Sequence, residues 1–402
     1  MIDASSAAAE VSRLVDDALP EITEIRRSLH RRPELMFEEH QTSSRVVAEL
    51  DSRSIAHVAG LARGTGVIAH LPGGGGDPIA LRADMDALPI EEATGAAWSS
   101  EHPGRMHACG HDGHTAILLG TARVLAEISS RRGLPRPVSL LFQPGEEGGG
   151  GGRLMVEDGA LDGSRIGPPV ERIYGLHGWP TLRLGHVATR PGPMLAASDA
   201  FEIVIRGTGG HAALPHMLHN PVEAAAATIS ALAALPAVAV SATDSAVVSV
   251  TAIEGGHAFN VIPETVRFKG TVRTLRRETR ERLHEAIRRT CEGAAAGRGC
   301  AVEVRIDAGF PVTVNDPACC DRFDTVMERT FGADRLESFP EPTMGSEDFS
   351  YYGEKIPSCF YALGLQADGE SPVPPLHSPY FDFDDRALAT GVRAMVALAL
   401  EG

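Results

Sequence analysis

A segment of eight residues, His107 to His114, carries three histidines, one cysteine and one aspartate. Cys109 and His111 are two positions apart, so in an extended backbone their side chains would project to the same side. A thiolate and an imidazole suit zinc, manganese or cobalt better than calcium. A single Cys-x-His pair is more often a loop with a buried cysteine. The remainder of the chain therefore decides whether this segment binds metal.

Further histidines and carboxylates follow predicted strands elsewhere in the chain. Glu146 and Glu147 come after an apolar run, and His177 and His377 each follow a leucine at the end of one. Adjacent carboxylates at a strand end should point in opposite directions, so that one binds metal while the other faces substrate. Metal-assisted hydrolysis needs this division, because the ion lowers the pKa of water and a free carboxylate takes its proton. Each residue alone also fits a turn or a core position, but together five donors predict a dinuclear metal site: Cys109, His111, Glu147, His177 and His377.

Strands and helices alternate over the first half of the chain. Hydrophobic periodicity predicts helices at Ala8–Arg32, Thr42–Ser52 and His114–Ile128. Strands are predicted at Thr65–Leu71, Pro78–Arg82, Val138–Phe142 and Ile173–Leu176. This alternation predicts an α/β fold with a mainly parallel sheet and helices on both faces. Ligands of such sheets gather at the carboxyl ends of the strands, where the chain has Asp84, Asp86, Glu146, Glu147 and His177.

The pattern changes near Arg190. Strands are predicted at Ala200–Arg206, Ala246–Glu254, Thr265–Arg273 and Ala301–Ile306, and helices at Pro221–Ala234 and Glu278–Gly293. The order β-α-β-β-α-β is that of a ferredoxin-like α+β unit. The earlier pattern of strand and helix signals resumes after Pro311, and the chain ends in a predicted helix at Arg386–Leu400. We therefore predict a catalytic domain formed by residues 1–189 and 310–402, with an inserted domain at 190–309.

Composition limits the classes of function. A length of 402 residues favours about two domains, and 43% hydrophobic with 22% charged residues is typical of a soluble globular protein. The net charge of -16 disfavours nucleic acid and anionic membranes as partners. We expect no apolar run long enough to cross a bilayer, which takes about 20 residues.

The N-terminal segment and the cysteines bear on location. Met1 to Arg31 shows an acidic and then basic amphipathic pattern without the apolar core of a signal peptide. Six cysteines are sparse in a chain of this length, and two are adjacent, so we expect reduced thiols rather than a disulfide framework. Both observations predict a cytoplasmic protein.

These motifs resemble the amidohydrolase branch of the aminoacylase/carboxypeptidase-type metallopeptidases. That branch contains hippurate hydrolases, N-acyl-amino-acid amidohydrolases and plant indole-acetyl-amino-acid hydrolases. The resemblance runs through almost the whole chain. The segments that carry it are Arg31–Leu35, Leu81–Pro89, His107–His114, Gln143–Gly148, Leu176–Pro180, Gly207–His216, Asn260–Pro263, Gly270–Arg273, Met344–Phe349 and Leu376–Pro379.

The resemblance implies a role for individual residues. Matched position by position, the metal ligands would be Cys109, His111, Glu147, His177 and His377. Glu146 would be the general base, and Asp86 would orient a ligand. Asp84 occupies the position of a metal-binding histidine in related peptidases, so its role stays open. His211 would stabilise the tetrahedral oxyanion, often across a subunit interface, while Asn260 and Arg273 are candidates for holding the substrate carboxylate.

The resemblance also implies partners and a cofactor. The inserted domain would act as a lid and would form a homodimer. The cofactor would be two divalent ions per subunit, manganese or zinc, with cobalt as a further choice. Two departures from the family pattern, His257 and His219-Asn220, fall in lid regions expected to touch substrate or partner.

The favoured hypothesis is a metal-dependent amidohydrolase of N-acyl or N-aroyl L-amino acids. Metal-bound water would attack the amide carbonyl, with Glu146 moving the proton, and the products would be a carboxylic acid and a free amino acid. Three alternatives stay open: a dipeptidase or carboxypeptidase on the same scaffold, a catalytically silent protein that binds acyl amino acids, and a cysteine hydrolase with Cys109 as its nucleophile.

Overall fold

The computed structural model describes residues 4–401, so Met1–Asp3, which belong to the predicted amphipathic N-terminus, lie outside the described residues. The described chain falls into two compact units. Within residues 4–401, unit 1 comprises residues 4–194, Val314–Glu341 and residues 348–401, and unit 2 comprises Leu195–Thr313 with Pro342–Glu347.

The helices of the described chain are α1 (Ala4–Arg31), α2 (His40–Ser52), α3 (His111–Arg132), α4 (Gly151–Glu157), α5 (Pro221–Ala239), α6 (Arg277–Ala296), α7 (Pro317–Phe331), α8 (Ser350–Gly353) and α9 (Ala387–Glu401). Its strands are β1 (Ala56–Leu61), β2 (Gly66–Leu71), β3 (Ile79–Asp84), β4 (Val138–Gln143), β5 (Arg172–Arg183), β6 (Val187–Thr189), β7 (Gly192–Leu195), β8 (Ala197–Arg206), β9 (Gly210–His211), β10 (Ala246–Glu254), β11 (Val261–Ile262), β12 (Thr265–Thr274), β13 (Ala301–Ala308), β14 (Thr313–Asn315), β15 (Leu336–Ser338) and β16 (Ser358–Gln366).

Unit 1 contains an eight-stranded sheet in the order β1-β2-β4-β3-β5-β16-β6-β15. Its centre is parallel, because β3 pairs in parallel with β4 and with β5, and β16 pairs in parallel with β5. The strands β1, β2 and β4 pair in antiparallel fashion at one side, as do β16 and β6. This confirms the predicted α/β class with a mainly parallel sheet.

The central strand β3 is buried on both faces. Ile79, Leu81 and Ala83 enter the main hydrophobic core, which also contains residues of α1, α3 and α9. Arg82 and Asp84 alternate with them and are equally buried, and the other face therefore carries polar groups. Because charged side chains are rarely buried without partners, this strand is a first structural indication of a site.

Unit 2 has the predicted ferredoxin-like order of elements. Its four-stranded sheet is antiparallel in the order β10-β12-β8-β13. The helices α5 and α6 contribute Ala224, Leu232, Leu283 and Ile287 to a second, separate hydrophobic core. The strand β10 lies at one edge of the sheet, and most of its residues are exposed.

Several predicted boundaries are wrong. The helix expected from His114 begins at His111, and the strand expected at Ile173–Leu176 continues to Arg183, so that His177 lies inside β5. The sequence pattern did not predict β16, a buried strand in the middle of the sheet. Its continuous apolar run gives no period-2 alternation, and periodicity cannot separate such a run from a buried helix.

The expectation about membrane-spanning length also needs correction. Within residues 4–401, one helix, α5, is long and apolar enough to cross a membrane by length and composition alone. Its buried residues pack in the core of unit 2. The core helices of soluble proteins can meet the same criterion of length and composition. A single helix of this kind is weak evidence for a membrane span.

Candidate metal centre

The candidate ligands come from four places in unit 1. Cys109 lies in the loop before α3, and His111 is the first residue of that helix. Gly110 between them has a φ of 85° in the left-handed region, so the two side chains converge through a turn and not through the extended backbone expected from the sequence. Glu147 lies beyond β4, and His377 lies in the segment before α9 with a φ of 65°.

The structure brings the five predicted ligands together in overlapping groups. The Sγ of Cys109 lies within 4.8 Å of a ring nitrogen of both His111 and His177, and those two nitrogens lie within the same limit of each other. A second group with the same limit contains Cys109, Glu147 and His377. Cys109 belongs to both groups, so the ligand atoms form one continuous cluster.

The histidine rings present their Nε2 atoms to this cluster. His177 donates from Nδ1 to the carbonyl oxygen of Gly178 at 2.8 Å, and its Nε2 lies 3.3 Å from the Sγ of Cys109. His111 Nδ1 lies 3.3 Å from the Asp86 carboxylate. Metal-binding histidines usually donate their other ring N–H to a carboxylate or a carbonyl in this way.

Asp86 and Glu39 hold the turn that carries the glutamates. The backbone N–H groups of Glu146 and Glu147 donate to the two oxygens of Asp86 at 3.0 and 2.9 Å. The preceding N–H, of Gly145, donates to Glu39 at 2.9 Å. Three successive N–H groups are therefore fixed by two buried carboxylates. Asp86 thus contacts both the His111 ligand and the glutamate turn.

Glu146 lies beside the cluster and is nearly fully buried. Its carboxylate accepts the N–H of Asp348 at 3.3 Å. Carboxylate oxygens of Glu146 and Glu147 lie within 4.8 Å of each other and of His111, so the expectation that they point in opposite directions is wrong. The tight turn beyond β4 replaces the extended geometry on which that expectation was based.

Asp84 forms a chain of hydrogen bonds that the sequence pattern did not predict. His114 Nδ1 donates to Asp84 at 2.6 Å, and His114 Nε2 accepts the N–H of Gly178 at 2.8 Å. Arg82 donates to the other oxygen of Asp84, also at 2.6 Å. Since Gly178 also holds the Nδ1 of His177, this chain connects Asp84 to a predicted ligand. The only sequence signal was the position of His114, one helical turn after His111.

The cluster carries an excess of buried negative charge. Burial opposes the charge of His111, but the carboxylates of Asp84, Asp86 and Glu147 outweigh it and raise the pKa of His111 to about 10. Burial, and then the negative charges of Glu147, Glu146 and Asp84, also raise the pKa of the Cys109 thiol. Burial lowers the pKa of His177, which favours its neutral form. A divalent cation would compensate this charge and displace the proton from His111.

The residues fit a metal by a second criterion. Within residues 4–401, His111 Nε2 is buried without a hydrogen-bond partner, and a carboxylate oxygen of Asp84 lies 3.8 Å from it. A buried ring nitrogen without a partner is costly unless it binds something. The thiol, imidazole and carboxylate donors suit a borderline divalent ion such as zinc or manganese.

The residues predicted to bind substrate lie in unit 2. His211 in β9 pairs with Val261 in β11, and the N–H of Ala212 donates to the carbonyl oxygen of Asn260 at 3.0 Å, so His211 and Asn260 are neighbours. Arg273 lies on β12, and its guanidinium donates to the Thr271 hydroxyl and to the Val272 carbonyl.

The two departures from the family pattern have different surroundings. Asn220 is the N-cap of α5, and its side chain accepts the N–H of Val222 at 3.0 Å. This cap gives Asn220 a structural role at the start of α5. His257 lies in an exposed loop between β10 and β11.

The family comparison covers most of the chain. A model described as "Peptidase family M20/M25/M40" matches residues 80–401. The Arabidopsis thaliana "IAA-amino acid hydrolase ILR1-like 4" is 41% identical over 93% of this chain and 84% of its own length. The "N-acetylcysteine deacetylase" of Bacillus subtilis is 38% identical over 94% of this chain and 95% of its own length.

A carboxypeptidase and a solved structure are also similar. The "Thermostable carboxypeptidase 2" of Saccharolobus solfataricus is 34% identical over 94% of this chain and 95% of its own length. A Bacillus subtilis protein described as "a Dinuclear Metal Binding Peptidase from M20 Family" has 35% identity and a TM-score of 0.82. That match covers 96% of this chain and 98% of the other.

Proposed function

The chain belongs to peptidase family M20/M25/M40 and is a metal-dependent hydrolase of amide bonds, and from this premise we propose that it cleaves N-acyl amino acids. The products would be a carboxylic acid and a free L-amino acid. The observation that carries the proposal is the convergence of four donor side chains around Cys109, with Glu146 buried beside them. Two relatives are named for cleaving an amino acid from an acyl group, which supports this class of substrate.

The chain's own residues divide the work. Cys109, His111, Glu147, His177 and His377 would hold two divalent ions, manganese or zinc, with cobalt as a further choice. When bound, such ions supply a Lewis acid for the amide carbonyl and lower the pKa of water. Glu146 takes a proton from the attacking water and passes it to the leaving amine. Asp86 keeps His111 and the glutamate turn in position.

Residues of unit 2 would select the substrate. His211 would donate a hydrogen bond to the developing oxyanion. Asn260 and Arg273 would hold the carboxylate of the amino acid, for which a guanidinium is well suited because it donates two parallel bonds. Unit 2 would also form a homodimer.

We further propose a cytoplasmic location, since all six cysteines are free. The sulfurs of Cys320 and Cys359 are 3.9 Å apart and are not joined by a disulfide.

A substrate panel with metal depletion tests the proposal. We expect N-acetyl and N-benzoyl amino acids to be hydrolysed faster than dipeptides, activity to disappear on chelation, and manganese or zinc to restore it. Preference for peptides would favour the carboxypeptidase alternative, which one relative supports. Activity that resists chelators but is lost on thiol alkylation would instead assign the chemistry to Cys109. No hydrolysis of any amide by the metal-loaded protein would contradict the proposal and favour a binding protein.

A further inference from the structure

Three arginines lie near the amino-terminal ends of the central strands of unit 1, opposite the end that carries the metal ligands. Arg172 is the first residue of β5, and it aligns with Ile79, the first residue of β3. Val138, the first residue of β4, aligns with Ile79 from the other side, so Arg136, two residues earlier, lies at the same edge. We call Arg136, Arg172 and Arg322 the arginine cluster.

The third member comes from the helix α7. The Sγ of Cys320 on α7 lies 3.9 Å from the Sγ of Cys359 on β16. Cys359 is paired in register with Tyr174, which lies two residues after Arg172 on the same face of β5. This contact fixes the turn of α7 that contains Arg322 close to the beginning of β5. Arg322 itself is exposed.

The cluster offers buried donors without acceptors. Within the described part of the chain, Arg172 Nη1, Arg136 Nε and the Tyr174 hydroxyl are each buried and lack a hydrogen-bond partner. Arg172 is 8% exposed and Tyr174 is fully buried. An unpaired buried donor is costly, and only a species that accepts hydrogen bonds can satisfy all three.

Three arginines gather at this edge of the sheet in a chain whose net charge is -16. The carboxylate found beside the cluster is that of Asp77, which accepts from Arg172 Nη2 at 2.6 Å and is half exposed. The bond to Arg172, and then the charges of Arg136 and Arg322, hold the pKa of Asp77 below its usual value. Burial, followed by repulsion from Arg172, lowers the pKa of Arg136. Asp77 therefore pairs with Arg172, and the charges of Arg136 and Arg322 act on the same carboxylate.

We propose that the arginine cluster binds a small oxyanion of the phosphate class. Guanidinium groups donate in pairs to such oxygens with favourable geometry, and the Tyr174 hydroxyl supplies a further donor. Binding at this edge of the sheet requires neither metal nor substrate. The ligand would stabilise the folded protein because the site is assembled from β3, β4, β5 and α7, which come together only on folding.

The test is a titration of the metal-loaded, full-length protein with inorganic phosphate, at constant ionic strength kept with sodium chloride. Thermal unfolding and calorimetry follow the wild type, Arg136→Gln and Arg322→Gln. Arg329→Gln is the matched control, because Arg329 is also exposed on α7 but pairs with Glu401. We expect saturable stabilisation of the wild type and of Arg329→Gln, and an affinity for phosphate lower by roughly tenfold or more in the two cluster variants.

Each other outcome contradicts the proposal. An equal response in all four proteins would mean a general salt effect or phosphate bound at the metals, since Arg322→Gln leaves the metal cluster unchanged. Stabilisation by chloride alone at the same ionic strength would assign the site to any anion. No response of the wild type would show that water satisfies the three donors. If Arg136→Gln does not fold, the exposed Arg322→Gln still decides the result.

Discussion

Glu146 can be tested without disturbing the candidate ligands. Its carboxylate lies beside the ligand cluster and is held by the N–H of Asp348. The substitution Glu146→Gln keeps the size of the side chain and removes its capacity to accept a proton. We expect kcat to fall by about 10²–10⁴-fold, with metal content unchanged by elemental analysis. Glu157→Gln, on the exposed end of α4, is the control, and near-normal activity of Glu146→Gln would remove the assigned role.

The hydrogen bonds from Asp84 through His114 to Gly178 make a second prediction at the residue scale. His114→Gln retains an acceptor for Gly178 but loses the bond to Asp84, so His177 is held less firmly. Loss of such supporting bonds typically weakens metal binding by about 10–100-fold. Competition with a chelator measures this affinity, with exposed His40→Gln as control. Metal affinity equal to that of the wild type would show that the chain of hydrogen bonds does not position the ligand.

The sequence was sufficient to predict the metal ligands but not the residues that hold those ligands in position. Cys109 and His111 carry distinctive donor types at close spacing, and the positions of Glu146, Glu147 and His177 at predicted strand ends suggested a shared site. Asp84 also follows a predicted strand and His114 lies one helical turn after His111, but neither position predicts their partnership, which depends on how the start of α3 meets the end of β3. Their pairing is set by packing between elements far apart in the chain, which residue types and spacing do not encode.

At the scale of elements, Gly110 controls the approach of His111 to Cys109. It has a φ of 85°, and an added Cβ would meet the Phe383 ring at 3.0 Å. An alanine in the left-handed region costs roughly 1–2 kcal/mol. Gly133, at the other end of α3, has a φ of 74° with nothing within 4 Å of an added Cβ. We expect both Gly110→Ala and Gly133→Ala to reduce stability in chemical denaturation, but only Gly110→Ala to weaken metal retention.

Asp199 fixes α6 to the sheet of unit 2. It accepts hydrogen bonds from Arg280 and His284 on α6 and from the N–H of Gly309. Burial opposes its charge, but the bonds from His284 and Arg280 outweigh burial and lower the pKa of Asp199 to about 2. Because the unfolded chain has the higher pKa, this contribution is present above about pH 4 and is lost as the pH falls toward 2.

The matching substitution is Asp199→Asn. We expect it to lower the free energy of unfolding at neutral pH by about 2 kcal/mol, and the difference from wild type to shrink as the pH falls below 4. Urea unfolding at several pH values measures it, with the exposed Asp307→Asn as control. A difference that stays constant down to the lowest pH would contradict the assigned pKa shift.

Elements with a clear hydrophobic period were predicted well. Elements stabilised mainly by contacts with distant parts of the chain were not. The alternating strands of unit 2 and the amphipathic helix α6 have the ends expected to within a few residues. The strands β6 and β15 are three residues each, and β1 has an irregular exposure pattern. Short or irregular strands lack the repeats that a period requires, and the sheet contacts that stabilise them are distant in sequence.

At the scale of the whole molecule, we predict a homodimer formed through unit 2. The edge strand β10 has unpaired backbone groups along one side, and Ile253 on it is 59% exposed. In the same unit, Phe259 is fully exposed. Sedimentation velocity should show a dimer that Ile253→Lys dissociates, whereas Glu303→Lys on the opposite edge strand β13 leaves it intact. A monomeric wild type at micromolar concentration would contradict the prediction.

The measurement that tests the central claim most directly is anomalous diffraction from crystals of the protein loaded with manganese or zinc. We predict two anomalous peaks per subunit, with the Sγ of Cys109 and the Nε2 atoms of His111 and His177 at about 2.0–2.3 Å from them. Glu147 and His377 should complete the ligand set, and Glu146 should lie beside it. Peaks elsewhere in the chain, or no peaks in a protein that still hydrolyses its substrate, would contradict the account.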